Sequence, residues 1–452
     1  MSTDPLERDD RPIAGTDELV EQFRAACKPR GHWRVGTESE MIGVYDADPG
    51  LGEAPPYEGE RGIGAMLARI QCSEWTPMRE GDTVIGLSGP GASITLEPGG
   101  QLELAARPVE SSSQFASDLE IYERVVADAS RELGIAWLGL GFRPFGTRDD
   151  VPWMPKKRYA IMREYLPTRG SLAHDMMKRT ATVQVNVDYA DEDDAAAKLK
   201  CAMSITSILT ALYANSPIVD GAVSEYQSYR SAVWLDVDPD RCGLLPLAFE
   251  DGDLFRRYVE YALDVPMFFV ARRGAYSPAR GTTFRRFLAD GFEGERATLN
   301  DWEIHLSTLF SEARIKRFME VRGCDGGSHA MIVALGPLCL GLLYDDAARA
   351  DATALTAGLS FGEREQLARD VCTGGLSARV AGRNHTLGDL ARQLVDIAAD
   401  GLSRVAPDEA GYLEPVRAIA QTGRTQADAV VDAWNAAGGD VAAAISSFRR
   451  FA

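Results

Sequence analysis

The segment ITLEPGGQLELAA, residues 94–106, places acidic side chains within a predicted β-hairpin. Its Pro-Gly-Gly tripeptide is a turn signal, and the runs on either side alternate apolar with polar residues. If the turn pairs position 97 with position 101, then Glu97, Gln101 and Glu103 share one face of the hairpin. Because glutamate is a poor strand former, two carboxylates side by side on this face need a chemical reason.

Three further predicted strands repeat this pattern of one apolar face and one polar face. The polar faces carry Glu38 and Glu40 in residues 34–45, Gln184, Asn186 and Asp188 in residues 180–189, and Glu320 and Arg322 in residues 315–323. Any one such strand is typical of an antiparallel sheet with a solvated face. Together the strands favour a bound cation, since neighbouring like charges on a sheet repel and oxygen ligands around a divalent ion remove that repulsion. Glutamates accompanied by an amide suit Mg²⁺, a hard ion.

A magnesium site on a sheet raises the question of a nucleotide. The sequence has neither a GxxxxGK[ST] loop nor a GxGxxG after a strand, so it predicts no P-loop and no Rossmann site. Phosphates would then be held by metal ions and cationic side chains. The candidates are Lys156, Lys157 and Arg158 in a basic segment, which is equally typical of a solvated loop, and Arg322 beside Glu320. An arginine among carboxylates is suited to neutralising a transferring phosphoryl group.

Composition and charge exclude several classes of protein. The 452 residues are 45% hydrophobic and carry a net charge of −19, which gives no electrostatic footprint for nucleic acid or an anionic membrane. The acidic N-terminus has no apolar core of a secretory signal, and the apolar run 330–344 is too short to span a membrane. We therefore expect a cytoplasmic protein. Seven scattered cysteines without a CxxC pair, and five histidines without ligand spacing, argue against a disulfide framework and a zinc site.

The order of predicted elements indicates an α+β fold in a single domain. Strands are expected at 34–45, 94–106, 135–145, 180–189 and 315–323. Helices are expected at 17–29, 61–70, 111–133, 192–214, 252–263 and 299–311, within the run 330–344, and throughout the part that follows Ala347. Residues 46–60 and 151–170 are expected to be irregular, the second of them basic.

A set of motifs in chain order carries a family resemblance. They are GTESE, ITLEPGGQLELAARPVE, MPKKRYAIMREYLP, DMMKRTATVQVNVDY, ALYANSPIVDG, YRSAVWLDVDPDR, YALDVPMFF, NDWEIHLSTLF and KRFMEVRGCDGG. Together they resemble glutamate–cysteine ligases of the plant and proteobacterial type. The resemblance covers residues 34–345 as a catalytic core and is weaker over the helical part, 346–452. It implies a curved antiparallel sheet of the glutamine-synthetase-like carboxylate–amine ligase type, flanked by helices. The resemblance does not include a counterpart to the plant transit peptide.

The resemblance also implies a reaction, the first step of glutathione biosynthesis. ATP and Mg²⁺ would support ligation of L-glutamate, through a γ-acyl phosphate, to the amine of L-cysteine. The implied metal ligands are Glu38, Glu40, Glu97, Glu103, Gln184 and Glu320; the implied catalytic residues are Glu320 and Arg322; and the implied ATP-binding residues are Lys156, Arg158 and Arg322. The implied substrate-binding residues are Arg230, which would grip the α-carboxylate of glutamate with its two-donor fork, and Met177, Arg179, Asn186 and Trp234.

Some alternatives stay open on the sequence alone. The chain could be a γ-glutamyl ligase for another amine acceptor, could serve ergothioneine synthesis, or could bind nucleotide or metal without catalysis. Arg230 could instead pair with a nearby acid such as Asp236 or Glu225. The disulfide control reported for plant members is not carried over, because the seven cysteines do not match those positions. The expected partners are small molecules, with no nucleic acid and no membrane, for a monomer or homodimer.

Overall fold

A computed structural model describes residues 11–70 and 74–451 of the chain. The strands are β1 (Val35–Tyr45), β2 (Thr76–Glu80), β3 (Thr83–Gly89), β4 (Ala92–Leu96), β5 (Leu102–Ala106), β6 (Ile135–Leu138), β7 (Thr182–Val187), β8 (Ile218–Val219), β9 (Ala222–Val223), β10 (Cys242–Gly243), β11 (Phe269–Arg272), β12 (Ala275–Pro278), β13 (Phe310–Ser311), β14 (Ala313–Ile315) and β15 (Met319–Asp325).

The helices fall between these strands and fill the C-terminal part. They are α1 (Thr16–Ala25), α2 (Ile63–Ile70), α3 (Ser112–Arg131), α4 (Lys157–Tyr165), α5 (Ala173–Arg179), α6 (Glu192–Tyr213), α7 (Tyr229–Trp234), α8 (Leu254–Asp264), α9 (Phe284–Asp290), α10 (Leu299–Ser307), α11 (His329–Leu343), α12 (Asp346–Ala354), α13 (Phe361–Gly374), α14 (Leu387–Val405), α15 (Glu414–Thr422), α16 (Gln426–Ala437) and α17 (Val441–Phe448). The expected α+β class is confirmed.

One antiparallel sheet organises the described residues. Its strand order is β14-β15-β7-β1-β5-β4-β3-β2, and β6 pairs with the end of β1. The four acidic segments singled out in the sequence are therefore neighbours in space, although they lie far apart in the chain. The register sets Glu40 opposite Glu103 and Glu38 opposite Gln184, and Glu320 lies opposite Asn186 on the next strand.

The apolar face of this sheet forms the core. Val183, Val185 and Val187 of β7 are fully buried, as is Met41 of β1, and helix α11 packs against both strands. Because side chains alternate between the two faces of a strand, burying the valines commits the intervening amides and carboxylates to the opposite face. The apolar run 330–344 is a buried helix, as expected. Helix α6 is also long and apolar enough to cross a membrane, but it is largely buried inside the protein.

Several sequence-based expectations were wrong in detail. Residues 151–170 are irregular only in their first part: the good helix formers between Pro155 and Pro167 form α4, and the two prolines lie outside the helix. The strand expected over 135–145 ends at Leu138, and the strand expected over 315–323 instead begins after a turn and runs to Asp325. The described cysteines are free, whereas Cys72 and the acidic residues 1–10 lie outside the described ranges.

Helices α11 and α14 cross at two glycines. A Cβ atom at Gly341 would lie 2.1 Å from the carbonyl oxygen of Ala398, and one at Gly401 would lie 2.0 Å from the carbonyl oxygen of Gly341. These neighbours are backbone atoms, so rotating a side chain cannot relieve the clash. The crossing packs the C-terminal part of the chain on the helix that covers the sheet. That residues 1–452 are a single domain stays a prediction.

Replacing Gly341 with alanine should destabilise the protein. Overpacking of a close contact typically costs about 1–3 kcal/mol of unfolding free energy, which urea denaturation followed by circular dichroism would measure. Gly362→Ala is the matched control, because a Cβ at that helical position meets no atom within 4 Å. The control should be neutral or slightly stabilising. Equal midpoints for the two variants would show that α11 and α14 do not pack closely at Gly341.

Candidate active site

The polar face of the sheet is the floor of a large cavity. Its volume is about 1230 Å³, which is enough for a nucleotide and small substrates. The sequence-selected residues that line it are Glu38, Glu40, Glu97, Gln101, Glu103, Arg158, Met177, Gln184, Asn186, Arg230, Trp234 and Arg322. Strand order and the period of two therefore bring most of the candidate residues to one place.

Two carboxylates of β1 occupy the centre of this floor. Glu40 accepts a hydrogen bond from the backbone N–H of Thr182 at 3.0 Å, and Glu38 accepts one from Asn186 Nδ2 at 3.1 Å. Glu103, across from Glu40, accepts one from the hydroxyl of Thr95 at 2.6 Å. These bonds fix the orientation of each carboxylate on the sheet.

The central carboxylates repel one another. Burial, followed by the negative charges of Glu97 and Glu103, raises the pKa of Glu40 well above its ordinary value. Burial and the charges of Glu320 and Glu103 raise the pKa of Glu38 in the same way. A positive ligand on this face would relieve the repulsion.

The Pro-Gly-Gly turn supports the site from one side. The backbone N–H of Glu97 donates to the carbonyl of Gln101 at 2.9 Å, so the expected pairing of these positions is confirmed. The amide of Gln101 is used for support, since it accepts from the N–H of Gly99 and donates to the carbonyl of Thr180 at 2.8 Å. Glycine is required at position 99, where a Cβ would lie 2.1 Å from the carbonyl oxygen of Lys178.

Strand β15 provides the cationic end of the site. Glu320 is fully buried; it lies 2.7 Å from Arg322 Nη1 and 3.2 Å from Lys316 Nζ, and it also contacts Arg314. Burial alone would raise the pKa of Glu320, but these positive charges hold that pKa well below its ordinary value. Arg322 Nη1 also donates to Gln184 Oε1 at 2.5 Å. Arg322 therefore reaches the cavity from a position fixed on two sides.

Helix α7 brings Arg230 to the same floor. Its Nη2 donates to the hydroxyl of Thr182 and to the carbonyl oxygen of Arg322, both at 3.0 Å. Its Nε is buried and has no hydrogen-bond partner among the described residues. Asp236, one of the acids considered as an alternative partner, accepts instead from the N–H of Ser171. A buried guanidinium donor without a partner is suited to an incoming carboxylate.

Five sequence-selected residues lie outside the cavity lining, namely Lys156, Lys157, Arg179, Asp188 and Glu320. Asp188 accepts from Lys28 Nζ at 2.7 Å, and Lys157 Nζ donates to the carbonyl of Gly274 at 3.3 Å. Arg179 is committed to Asp175 at 3.1 Å, to Asp220 at 2.6 Å and to nearby carbonyls. Lys156 is buried at the start of α4, where burial and the charge of Arg158 lower its pKa to about 8. Glu320 sits behind Arg322, as described above. The contacts of these residues with ligands stay predictions, and the cavity lining does not include their side chains.

The structure also reveals lining residues that the sequence reading missed. Lys316 and Thr182 reach the cavity floor, and the β11–β12 hairpin contributes Arg272 and Tyr276 to its wall. Lys316 stands in the quoted motif KRFMEVRGCDGG, so its charge was a usable signal. The β11–β12 hairpin gave no such signal, because it lies far from the sheet strands in the sequence and its position next to them is set by the fold.

The donor set on the floor suits a hard metal ion, although its side chains do not form a ready-made cage. No group of three or more His, Cys, Asp or Glu residues within 11–70 and 74–451 is arranged to hold a metal. However, Glu38, Glu40, Glu97 and Glu103 face one cavity, and the Oδ1 atom of Asn186 is buried there without a hydrogen-bond partner in the described chain. Oxygen donors of this kind fit Mg²⁺.

Two solved structures of ligases share the fold of this chain. The chain has the fold of the *Francisella tularensis* glutamate–cysteine ligase solved in complex with AMP, with a TM-score of 0.56 at 13% identity over 92% of this chain and 89% of that one. It also resembles the bifunctional glutathione synthetase of *Pasteurella multocida*, with a TM-score of 0.51 at 15% identity over 96% of this chain and 52% of that one.

Sequence comparison then gives the family. The model described as glutamate-cysteine ligase family 2 (GCS2) matches residues 34–447, and the chain belongs to this family. The chloroplastic glutamate–cysteine ligase of *Medicago truncatula* is 40% identical over 96% of this chain and 83% of its own length. The *Arabidopsis thaliana* enzyme is 39% identical over 96% of this chain and 81% of its own length. The chain is therefore an enzyme of the ligase class, as the motifs indicated.

The expectation of a cytoplasmic location was wrong. The relatives from *Medicago truncatula*, *Brassica juncea* and *Arabidopsis thaliana* are all named chloroplastic. The expectation rested partly on the polar N-terminus, of which residues 1–10 lie outside the described part of the chain. Composition reports on solubility and gives little information about compartment.

Neutralising Glu40 should stabilise the ligand-free protein. A carboxyl whose folded pKa exceeds its unfolded value of about 4.3 costs stability as the pH rises from the unfolded pKa through the folded one. Glu40→Gln removes that cost and keeps an oxygen that can accept from Thr182. Its thermal midpoint by calorimetry near neutral pH should therefore exceed that of the wild type, and the difference should shrink toward about pH 4.

The control is Glu303→Gln, at a half-exposed position on the cavity rim 3.9 Å from Arg317. Its midpoint should stay near that of the wild type, since surface changes usually alter stability by about 0.5 kcal/mol or less. A Glu40→Gln midpoint at or below that of the control would show that the carboxylates do not repel.

Proposed function

We propose that this chain ligates the γ-carboxyl group of L-glutamate to the amine of L-cysteine, with cleavage of ATP to ADP and phosphate, and thereby makes γ-glutamylcysteine for glutathione biosynthesis. The observation that carries the proposal is the link between two arginines. Arg230 Nη2 donates to the carbonyl oxygen of Arg322 at 3.0 Å. A carboxylate-binding group and a phosphate-facing group are thus held at a fixed spacing on the floor of one cavity.

In the first step, Arg230 holds the α-carboxylate of glutamate, and the γ-carboxylate attacks the γ-phosphorus of ATP. The bond to the bridging oxygen of ADP breaks, and an acyl phosphate forms. Arg322 and Lys316 face the charge that develops on the transferred group, which is the main way proteins promote phosphoryl transfer. Glu320 holds both cations in place, so its proposed part in catalysis is to position them.

In the second step, the cysteine amine attacks the acyl carbon and phosphate leaves with the bonding electrons. The amine loses its proton as the amide forms. Met177 and Trp234 add apolar surface to the lining, with the Trp234 ring centre 5.9 Å from the guanidinium of Arg230. This surface helps to exclude water from the acyl phosphate. Arg158 lines the cavity and is proposed to bind the nucleotide. Arg179 and Lys156 are left out of the contacting set.

Magnesium is the proposed metal. Glu38, Glu40, Glu97 and Glu103 would hold it, with the amide oxygen of Asn186 near them. Bound there, it would neutralise phosphate charge and orient the nucleotide. Gln184 is the weaker candidate ligand, because its Oε1 atom already accepts from Arg322.

Replacing Glu97 with glutamine should abolish turnover with Mg-ATP while leaving the fold intact. The change removes one ligand charge and little volume. Differential scanning fluorimetry should show a Mg-ATP-dependent rise of the midpoint in the wild type, by ligand linkage, and a much smaller rise in the variant. Glu110→Gln, at an exposed position paired with Arg34, is the control with normal activity. Near-normal turnover of Glu97→Gln at saturating Mg²⁺ would remove Glu97 from the metal set.

Arg230→Lys should weaken glutamate binding selectively. Lysine keeps the charge but loses the planar fork that matches a carboxylate. A charge-assisted contact of this kind is worth about 2–3 kcal/mol, so the KM for glutamate should rise about 30- to 150-fold. The KM for ATP should barely change. Lowered stability with an unchanged glutamate KM would instead indicate a purely structural arginine.

The identity of the acceptor is tested by ADP release. The purified chain is incubated with ATP, Mg²⁺, glutamate and each amino acid in turn. Cysteine should give the largest kcat/KM, with γ-glutamylcysteine identified by mass spectrometry. Faster ADP release with another amine, or release without a glutamyl product, would overturn the proposed acceptor.

A further inference from the structure

The last residue of β15, Asp325, is the centre of a buried hydrogen-bond network below the cavity. It is 1% exposed. Its Oδ2 accepts from the backbone N–H of Asn215 at 2.9 Å and from the hydroxyl of Ser216 at 2.7 Å. Its Oδ1 accepts from the hydroxyl of Ser228 at 2.8 Å. One carboxylate therefore ties the end of α6 to the start of α7.

Both serines in the network act directly on the helix that carries Arg230. Ser228 is the N-cap of α7, where its hydroxyl accepts from the N–H of Ser231 at 3.2 Å. Ser216 Oγ accepts from the backbone N–H of Arg230 itself at 3.1 Å. The guanidinium Nη1 of Arg230 lies 3.9 Å from Asp325 Oδ1. Asp325 thus fixes the backbone of Arg230 and also provides the counter-charge nearest its side chain.

We propose that Asp325 is the positioning residue for the glutamate pocket: it aligns α7 so that Arg230 meets the α-carboxylate while its other nitrogen stays bound to the carbonyl oxygen of Arg322. This inference rests on the proposed function of Arg230. Because Asp325 and Arg322 belong to the same strand, β15 sets the spacing between the amino-acid end and the phosphate end of the cavity.

Asparagine is the informative replacement at position 325. It has the same shape, but it offers one acceptor oxygen where the carboxylate offers two, and its NH₂ group cannot accept from Ser228 or Ser216. A longer side chain would not fit, since Gly141 packs so closely that a Cβ there would lie 2.5 Å from Asp325 Cγ. Ser216→Ala is a milder second variant that removes one donor to Asp325 and the acceptor for the N–H of Arg230.

Steady-state kinetics of the full chain with glutamate, cysteine and Mg-ATP tests the proposal. Asp325→Asn should raise the KM for glutamate about tenfold or more, and Ser216→Ala about three- to tenfold, while the KM for ATP changes less than about twofold in both. In an Arg230→Lys background, Asp325→Asn should add little further rise, because both changes disable the same contact.

Glu409→Gln is the matched control. Glu409 is also a buried carboxylate that accepts from a backbone N–H and from a hydroxyl, both of Ser112, but it does not line the cavity. It should lower the thermal midpoint without changing the ratio of the two KM values. If Asp325→Asn does not fold, Ser216→Ala decides the outcome alone.

The outcomes distinguish a failure of the role of Asp325 from a failure of the proposed function. An active wild type whose Asp325→Asn and Ser216→Ala variants keep the ratio of glutamate KM to ATP KM would overturn the role of Asp325 and leave the proposed function standing. Full additivity with Arg230→Lys would overturn it as well. A wild type that makes no γ-glutamyl product would overturn the proposed function, and the assignment of Asp325 with it.

Discussion

The electrostatic repulsion among buried carboxylates is the constraint on which the rest of the structure depends. Glu40 faces Glu103 across one strand pair, and burial together with the neighbouring negative charges raises the pKa of Glu40 and of Glu38. The protein supports this arrangement with a rigid apolar face on the other side of the same strands. Because these like charges are held close together on one face, the floor of the cavity is suited to the proposed Mg²⁺ ion.

The positive charge that balances these carboxylates comes mainly from the β14–β15 side of the sheet. Arg314, Lys316 and Arg322 all contact Glu320, which keeps three cations together, two of them at the edge of the cavity. A register shift between Val321 and Cys324 interrupts the pairing of β15 with β7. Bulges of this kind re-aim side chains next to active sites. Here the irregular stretch contains Arg322, and its carbonyl oxygen receives Arg230.

The C-terminal hundred residues also support the acidic floor. The side chain of Arg450 donates to Glu123 at 2.6 Å and approaches the backbone carbonyl of Glu40 at 3.5 Å, and its N–H donates to the carbonyl of Trp137 at 2.9 Å. His329 contacts the other oxygen of Glu123 at 2.8 Å. The end of the chain is thus packed beneath β1.

The sequence by itself determined the alternating strands, the faces on which Glu38, Glu40, Glu97 and Glu103 lie, and the family. A strand's period of two fixes which side chains share a face, and that information is local. Only the tertiary structure decided which polar residues line the cavity. Arg179 lies outside the lining, in a short helix where Asp175 and Asp220 are its partners, whereas Lys316 lines the cavity although it was not selected from the sequence. Those outcomes depend on long-range pairing and on which hydrogen-bond partners are already taken, and neither is written in the spacing of residues along the chain.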